Sequence, residues 1–185
     1  LGEPWQWLEI FFGDERTVPH DHIESNYRMV QRALLDHVPI SLDRVHPMPA
    51  DADDLDAASA IYERVVRERV PAGANGIPSF DLVLLGMGGD GHTASLFPNT
   101  PALDETSRLV VSQFVPVLGR NRMTFTFPLI NAAQAVVLLV TGEDKADAVA
   151  DLMGPSPTVP AARVRPDSGL LYIILDQSAA RKMPR

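Results

Sequence analysis

The chain has 185 residues, 45% of them apolar and 22% charged, the composition of one globular domain that can bury a core without covalent staples. It contains no cysteine, which excludes disulfide frameworks, thiolate chemistry and Cys-based metal sites and leads us to expect a reducing, cytoplasmic setting. Twenty-four acidic against sixteen basic residues give a net charge of −8, and no Lys/Arg cluster occurs, so neither a nucleic acid nor a membrane surface is an expected partner.

The opening segment LGEPWQWLEIFF lacks the basic start and small-residue cleavage site of a signal peptide, and Trp7–Phe12 reads as a first strand. SNYRMVQRALLDHV follows, with Tyr27, Val30, Leu34 and Val38 spaced along one helix face, Ser25 or Asn26 as N-cap and Pro39 as the stop. VHPMP is a short extended piece whose prolines place it at an edge or strand end. From Asp53 a second amphipathic helix runs through Leu55, Ala58, Ile61 or Tyr62, and Val65. PAGANGIPS is a turn-rich connector.

Five further strands read as FDLVLLG, RLVVSQF, MTFTF, AVVLLV and LYIILD. Three of them hold unbroken apolar runs, DLVLLG, AVVLLV and LYIIL, the signature of strands covered on both faces in a parallel sheet. EDKADAVADLM and QSAARKM read as helices, and MGPSPTVPAARVRPDSG as an ordered loop. No repeat or low-complexity tract interrupts the pattern. The expected fold is a single α/β domain over residues 1–185, Rossmann-like, with three α/β/α layers and a mainly parallel sheet.

Ligands of open α/β sheets bind beyond the carboxyl ends of the strands. Two loops begin at such ends: FFGDERTVPHDHIESNY and GMGGDGHTASLFP. Glycines at 86, 88, 89 and 91 let backbone N–H groups approach a ligand, although the same glycines also suit a plain tight turn. Asp90 and His92 in that turn favour chemistry, because a histidine beside a carboxylate can serve as a general base near neutral pH. Asp14, Glu15 and Arg16 would ordinarily be a solvated turn, yet they follow a buried strand, and Arg16 can hold an anion with two hydrogen bonds. His20 and His22 can line the first loop, His37 suits a helix end, and the histidines share no metal-ligand spacing. Lys145 stands at a helix start, where the helix dipole opposes a cation and function is one reason to accept the cost.

The two loops, with RNRMTFTFPLINAAQAVVLLVTGEDKADAV and PAARVRPDSGLLYIILDQSAA, resemble the 6-phosphogluconolactonases across essentially the whole chain. The related glucosamine-6-phosphate deaminases share the Gly-Asp-Gly-His turn but continue with Asn and Glu before the proline, where this chain has Ser95, Leu96 and Phe97. The resemblance implies hydrolysis of 6-phospho-D-glucono-1,5-lactone in the oxidative pentose phosphate pathway, with no metal or organic cofactor. It implies His92 as general base and Asp90 as its orienting group. Gly88, Gly89 and Gly91 would be backbone donors, with Asp14, Glu15, Arg16, Arg122 and Lys145 as substrate contacts. The partner implied is a small sugar-phosphate lactone, with a functional link to glucose-6-phosphate dehydrogenase. Deamination of an amino-sugar phosphate and sugar-phosphate binding without turnover are the alternatives. Family members begin with a further helix and strand bearing a Ser-Gly-Gly-Ser/Thr-Pro phosphate loop. Residues 1–185 contain no such loop, so weak activity of this chain by itself is expected.

Overall fold

The structure is a computed structural model that describes residues 4–73 and 75–183; Leu1–Glu3, which open the segment read above for a signal peptide, and Ala74 of the turn-rich connector lie outside it. Strands β1 (Ile10–Phe11) and β3 (Val45–His46) pair in parallel. Strands β2 (Asp14–Arg16), β6 (Arg120–Phe125) and β5 (Val110–Val115) form an antiparallel sheet in that order. Strands β4 (Val83–Leu85), β7 (Ala135–Val140) and β8 (Leu170–Leu175) form a parallel one. Among the described residues, three of the five strand pairings are therefore parallel; of the two antiparallel ones, β5–β6 is a hairpin and β2–β6 joins distant parts of the chain. The hairpin turn is a 3₁₀ segment, Pro116–Leu118, closed by Gly119 in the left-handed region at φ 61°.

The helices differ from the expectation mainly at their ends. Helix α1 (Asn26–Ala33) starts at Ser25, whose hydroxyl accepts from the Arg28 N–H as an N-cap should. It stops before the predicted end, and a 3₁₀ turn over Leu35–His37 brings Leu35 rather than Leu34 into the core. Helix α2 (Leu55–Arg69) is capped by Asp54, which accepts from the N–H groups of Asp56 and Ala57. Its buried stripe is Ala58, Tyr62 and Val66, so Ala58 and Tyr62 of the predicted positions are in the core and the stripe rotates from Val65 to Val66. The phenol explains the rotation. Tyr62 Oη accepts from the Phe12 N–H at 2.9 Å and donates to the His46 carbonyl at 2.7 Å, tying β1 to β3. Trp7 lies in a 3₁₀ turn (Pro4–Trp7), so only the end of the first predicted strand is extended. Helices α3 (Phe127–Asn131) and α4 (Ala146–Leu152) bury Leu129, Ile130, Ala148 and Val149. The predicted QSAARKM helix is a 3₁₀ turn, Ala179–Lys182, packed on α4.

The parallel sheet is apolar on both faces, but the expectation that both are covered is corrected, because only one face is buried. Val83, Leu85, Val136, Leu138 and Val140 are in the core, whereas Leu84, Leu139, Leu170, Tyr172 and Ile174 on the other face are each at least half exposed. The carboxyl ends of β4, β7 and β8 lie side by side. They lead respectively into the glycine turn, the Gly142–Lys145 segment and Asp176, whose carboxylate accepts from the Gly142 N–H at 3.1 Å.

Candidate active site

The glycine turn leaves β4 at Gly86 and folds back on itself. Gly88 N–H donates to the His92 carbonyl at 2.9 Å and Gly91 N–H to the Gly88 carbonyl at 3.0 Å. Two glycines are sterically required. A Cβ on Gly88 would lie 2.2 Å from the His92 ring, and one on Gly91, at φ 77°, would lie 2.3 Å from Val159. The expectation that Gly88, Gly89 and Gly91 all offer donors to a ligand is therefore corrected. Gly88 is the seat of the imidazole, Gly91 is the hinge of the turn, and both N–H groups are used internally. Among the described residues, Gly89 N–H finds no acceptor.

His92 and Asp90 form a tight pair, Nδ1 to Oδ1 at 2.5 Å, and the same carboxylate oxygen accepts from the His92 backbone N–H at 3.1 Å. Partial burial pushes the Asp90 carboxyl up, but the hydrogen bonds from the His92 ring and backbone outweigh it, leaving the pKa below the ordinary value. Asp90 thus stays ionised at neutral pH and fixes Nδ1 as the protonated ring nitrogen, which leaves the Nε2 lone pair free to take a proton. The ring stacks on Phe97, centroids 3.9 Å apart.

Two arginines lie together on the antiparallel sheet. Arg16 on β2 and Arg122 on β6 are direct cross-strand partners. Arg16 Nη1 donates to the Glu24 carbonyl, while Arg122 Nη1 is buried and finds no hydrogen-bond partner among the described residues. Burial and the nearby Arg16 charge both hold the Arg122 pKa below its usual value. Arg120, two positions before Arg122 on the same strand, is exposed and paired with Glu24 at 2.6 Å. In the segment after β7, Lys145 Nζ meets Asp144 Oδ2 at 2.6 Å, and the Asp144 carbonyl packs beside Gly89. Lys145 closes a 3₁₀ turn ahead of α4 rather than starting the helix itself.

The remaining candidates are engaged within the protein. Glu15 is completely buried, with oxygens accepting from Ser25 Oγ at 3.1 Å and from the N–H groups of Asn26 and Tyr27 at 2.7 and 2.8 Å. Those are orphan donors at the start of α1, so the structure corrects Glu15 from a ligand contact to a helix cap. Asp14 is also enclosed, accepting from Ser95 Oγ at 2.7 Å and Asn26 Nδ2 at 3.2 Å. Burial raises its pKa against the opposing effects of the Ser95 hydrogen bond and the Arg16 charge. His20 contacts the Met48 carbonyl at 2.9 Å and His22 accepts from the Glu24 N–H, so neither points at His92. Among the described residues no three imidazole or carboxylate groups converge as a metal would require, and no helix is long and apolar enough to cross a membrane.

A histidine held by a carboxylate in a glycine turn at the carboxyl end of a parallel strand stands where open α/β scaffolds bind small ligands. The chain belongs to the glucosamine-6-phosphate isomerase/6-phosphogluconolactonase family, whose model matches residues 2–173. It is 42% identical over 183 residues to the 6-phosphogluconolactonase of Synechocystis sp., an alignment covering 97% of this chain and 75% of that protein. It is 44% identical over 187 residues to the 6-phosphogluconolactonase of Mycobacterium tuberculosis, with the same coverage. The 6-phosphogluconolactonase of Trypanosoma cruzi superposes with a TM-score of 0.84 at 34% identity, covering 96% of this chain and 73% of that one. The chain thus spans about three quarters of the length of its relatives, and the superposition supports the α/β class expected from the sequence.

Proposed function

We propose that residues 1–185 form a lactonase domain that hydrolyses 6-phospho-D-glucono-1,5-lactone to 6-phospho-D-gluconate. The observation that carries the reading is the Asp90–His92 pair at 2.5 Å, in the glycine turn that leaves the carboxyl end of β4. Identity above 40% to 6-phosphogluconolactonases supports the choice of substrate. His92 Nε2 takes a proton from water as the water oxygen bonds to C1 and the carbonyl π pair moves onto its oxygen. Gly89 N–H is the backbone donor for that developing charge. Collapse of the intermediate breaks the bond from C1 to the ring oxygen, which leaves with the proton returned by His92. Each atom and proton is then accounted for with no metal or organic cofactor. Arg16, Arg122 and Lys145 hold the phosphate, where hydrogen bonds between charged groups are about twice as strong as neutral ones.

The lactone is the oxidation product of a C1 hemiacetal, so a glucose-6-phosphate dehydrogenase acting in the cytoplasm is the source we assign to it. The deciding experiment follows acid release from 6-phosphogluconolactone above the spontaneous rate, alongside ammonia release from glucosamine 6-phosphate. Lactone hydrolysis without ammonia supports the proposal. Ammonia release would make the chain a deaminase, and tight binding without turnover would make it a binding module.

A further inference from the structure

Ser95 is held at all three of its polar groups, each by a different strand of the antiparallel sheet. Its Oγ donates to Asp14 Oδ2 on β2 at 2.7 Å, and its N–H donates to Thr124 Oγ1 on β6 at 3.1 Å. Its carbonyl accepts from Gln113 Nε2 on β5 at 2.6 Å. These anchors are themselves fixed: Thr124 Oγ1 donates to the Phe125 carbonyl, and Gln113 Oε1 accepts from the Ala102 N–H. Ser95 is only 1% exposed, so it offers nothing to a substrate directly. It nevertheless sits three residues after His92 and two before Phe97, the ring on which His92 stacks. The intervening turn is closed by Leu96 N–H to the Thr93 carbonyl at 2.9 Å, with Ala94 held at φ 47°, a costly conformation for a non-glycine residue.

The strand register gives this docking its meaning. Asp14 faces Thr124 and Arg16 faces Arg122 across the β2–β6 pairing, and residues two apart on a strand share a face. Four neighbouring side chains on one sheet face therefore divide into two that grip Ser95 and two that carry cationic charge. We propose that Ser95, gripped by Asp14, Thr124 and Gln113, is the positioning residue that sets His92 at a fixed distance from Arg16 and Arg122. In this arrangement Asp14 serves as a hydrogen-bond acceptor for the turn. It does not contact the substrate. The base and the anion site are then registered through a rigid sheet, and the flexibility of a glycine-rich loop does not enter the spacing. The kinetic consequence rests on the lactonase reading above; the structural one does not.

The test uses Ser95→Ala, the near-isosteric Thr124→Val, and the pair Asp14→Ala and Asp14→Asn, each matched to the starting protein by circular dichroism. Turnover of 6-phosphogluconolactone is measured together with the imidazole NMR resonances of the five histidines. Misplacement by about 1 Å can cost on the order of 10²-fold in rate. Ser95→Ala and Thr124→Val should lower kcat about ten- to a hundred-fold with KM within about threefold, because the arginines stay in place. Asp14→Asn, which keeps an acceptor oxygen, should recover about tenfold or more of the kcat lost in Asp14→Ala. The ring resonances of His92 should shift or broaden in Ser95→Ala and Thr124→Val, while those of His20, His22, His37 and His46 stay put. Unchanged His92 resonances in both variants would overturn the proposal, whatever the activity. So would an Asp14→Asn variant as slow as Asp14→Ala, since that would place the charge itself in the chemistry. If no form hydrolyses the lactone, the functional reading fails, and the histidine resonances still decide this one.

Discussion

The antiparallel and parallel sheets are built to opposite plans. In β2–β6–β5, a buried face is polar: Asp14, Thr124 and Gln113 are enclosed with their hydrogen bonds made, and Arg16 and Arg122 lie beside them. In β4–β7–β8 both faces are apolar, and chemistry begins only where the strands end. A buried hydrogen-bonded network specifies one arrangement, whereas apolar contact specifies burial and leaves orientation looser. The parallel sheet supplies the platform from which the glycine turn departs, and the antiparallel sheet decides where the turn comes to rest.

The largest expected effect tests the platform's end. His92→Ala should lower kcat about 10²- to 10⁴-fold, with KM much less affected, in a lactone assay corrected for spontaneous hydrolysis. A variant near the original kcat would move the base elsewhere. Next is a contrast between the two faces of the parallel sheet, read by chemical denaturation. Leu138→Ala, at a side chain 1% exposed, should cost about 2–5 kcal/mol, while its neighbour Leu139→Ala, 54% exposed, should cost about 0.5 kcal/mol. Equal costs would mean that the outer face is covered in solution. On the antiparallel sheet, Arg122→Ala should weaken use of the phosphorylated lactone about ten- to a hundred-fold relative to gluconolactone. Stability should hold or rise, because a buried guanidinium N–H without a partner is removed. Equal losses on both lactones would point away from the phosphate.

The smallest effect lies between the sheets, in the loop leading to β5. Glu105 accepts from the Ser107 N–H and hydroxyl and the Arg108 N–H, and the Arg108 bond leads in holding its pKa down to about 2. A depressed carboxyl contributes stability that is complete above its unfolded value, about 4.3, and lost as pH falls through about 2. Glu105→Gln should therefore lower stability at pH 7 by about 0.5 kcal/mol, solvent screening keeping it small, and the difference should vanish near pH 2. A difference that persisted at pH 2 would assign the effect to packing.

Much of this contrast was legible in the residues. The unbroken apolar runs marked the parallel strands, but they did not reveal that only one face of the sheet is buried, since apolar residues occupy both. The glycine turn was legible because glycine, carboxylate and imidazole in so few positions have few structural uses. Glu15 was not, since an acidic residue that caps a distant helix start looks in sequence like any solvated charge. The Tyr62 hydroxyl, bonded to the backbone at two strands, decides between Ile61 and Tyr62 where the spacing left both open, a tertiary contact without a local signal. Ser95 was quoted only as a point of family difference; its three partners lie 18 to 81 positions away in the chain.

If Arg16, Arg122 and Lys145 hold a phosphate as proposed, the protein's stability becomes a function of its buffer. Any phosphate-bearing ion that binds the folded chain and not the unfolded one adds RT ln(1 + [L]/Kd) to the unfolding free energy. At a hundred times the dissociation constant this is about 2.7 kcal/mol, a sizeable share of the roughly 5–15 kcal/mol that holds a typical domain together. Melting curves recorded in phosphate and in an uncharged buffer would then describe two different free-energy differences, and their separation would give the anion affinity without any substrate being turned over.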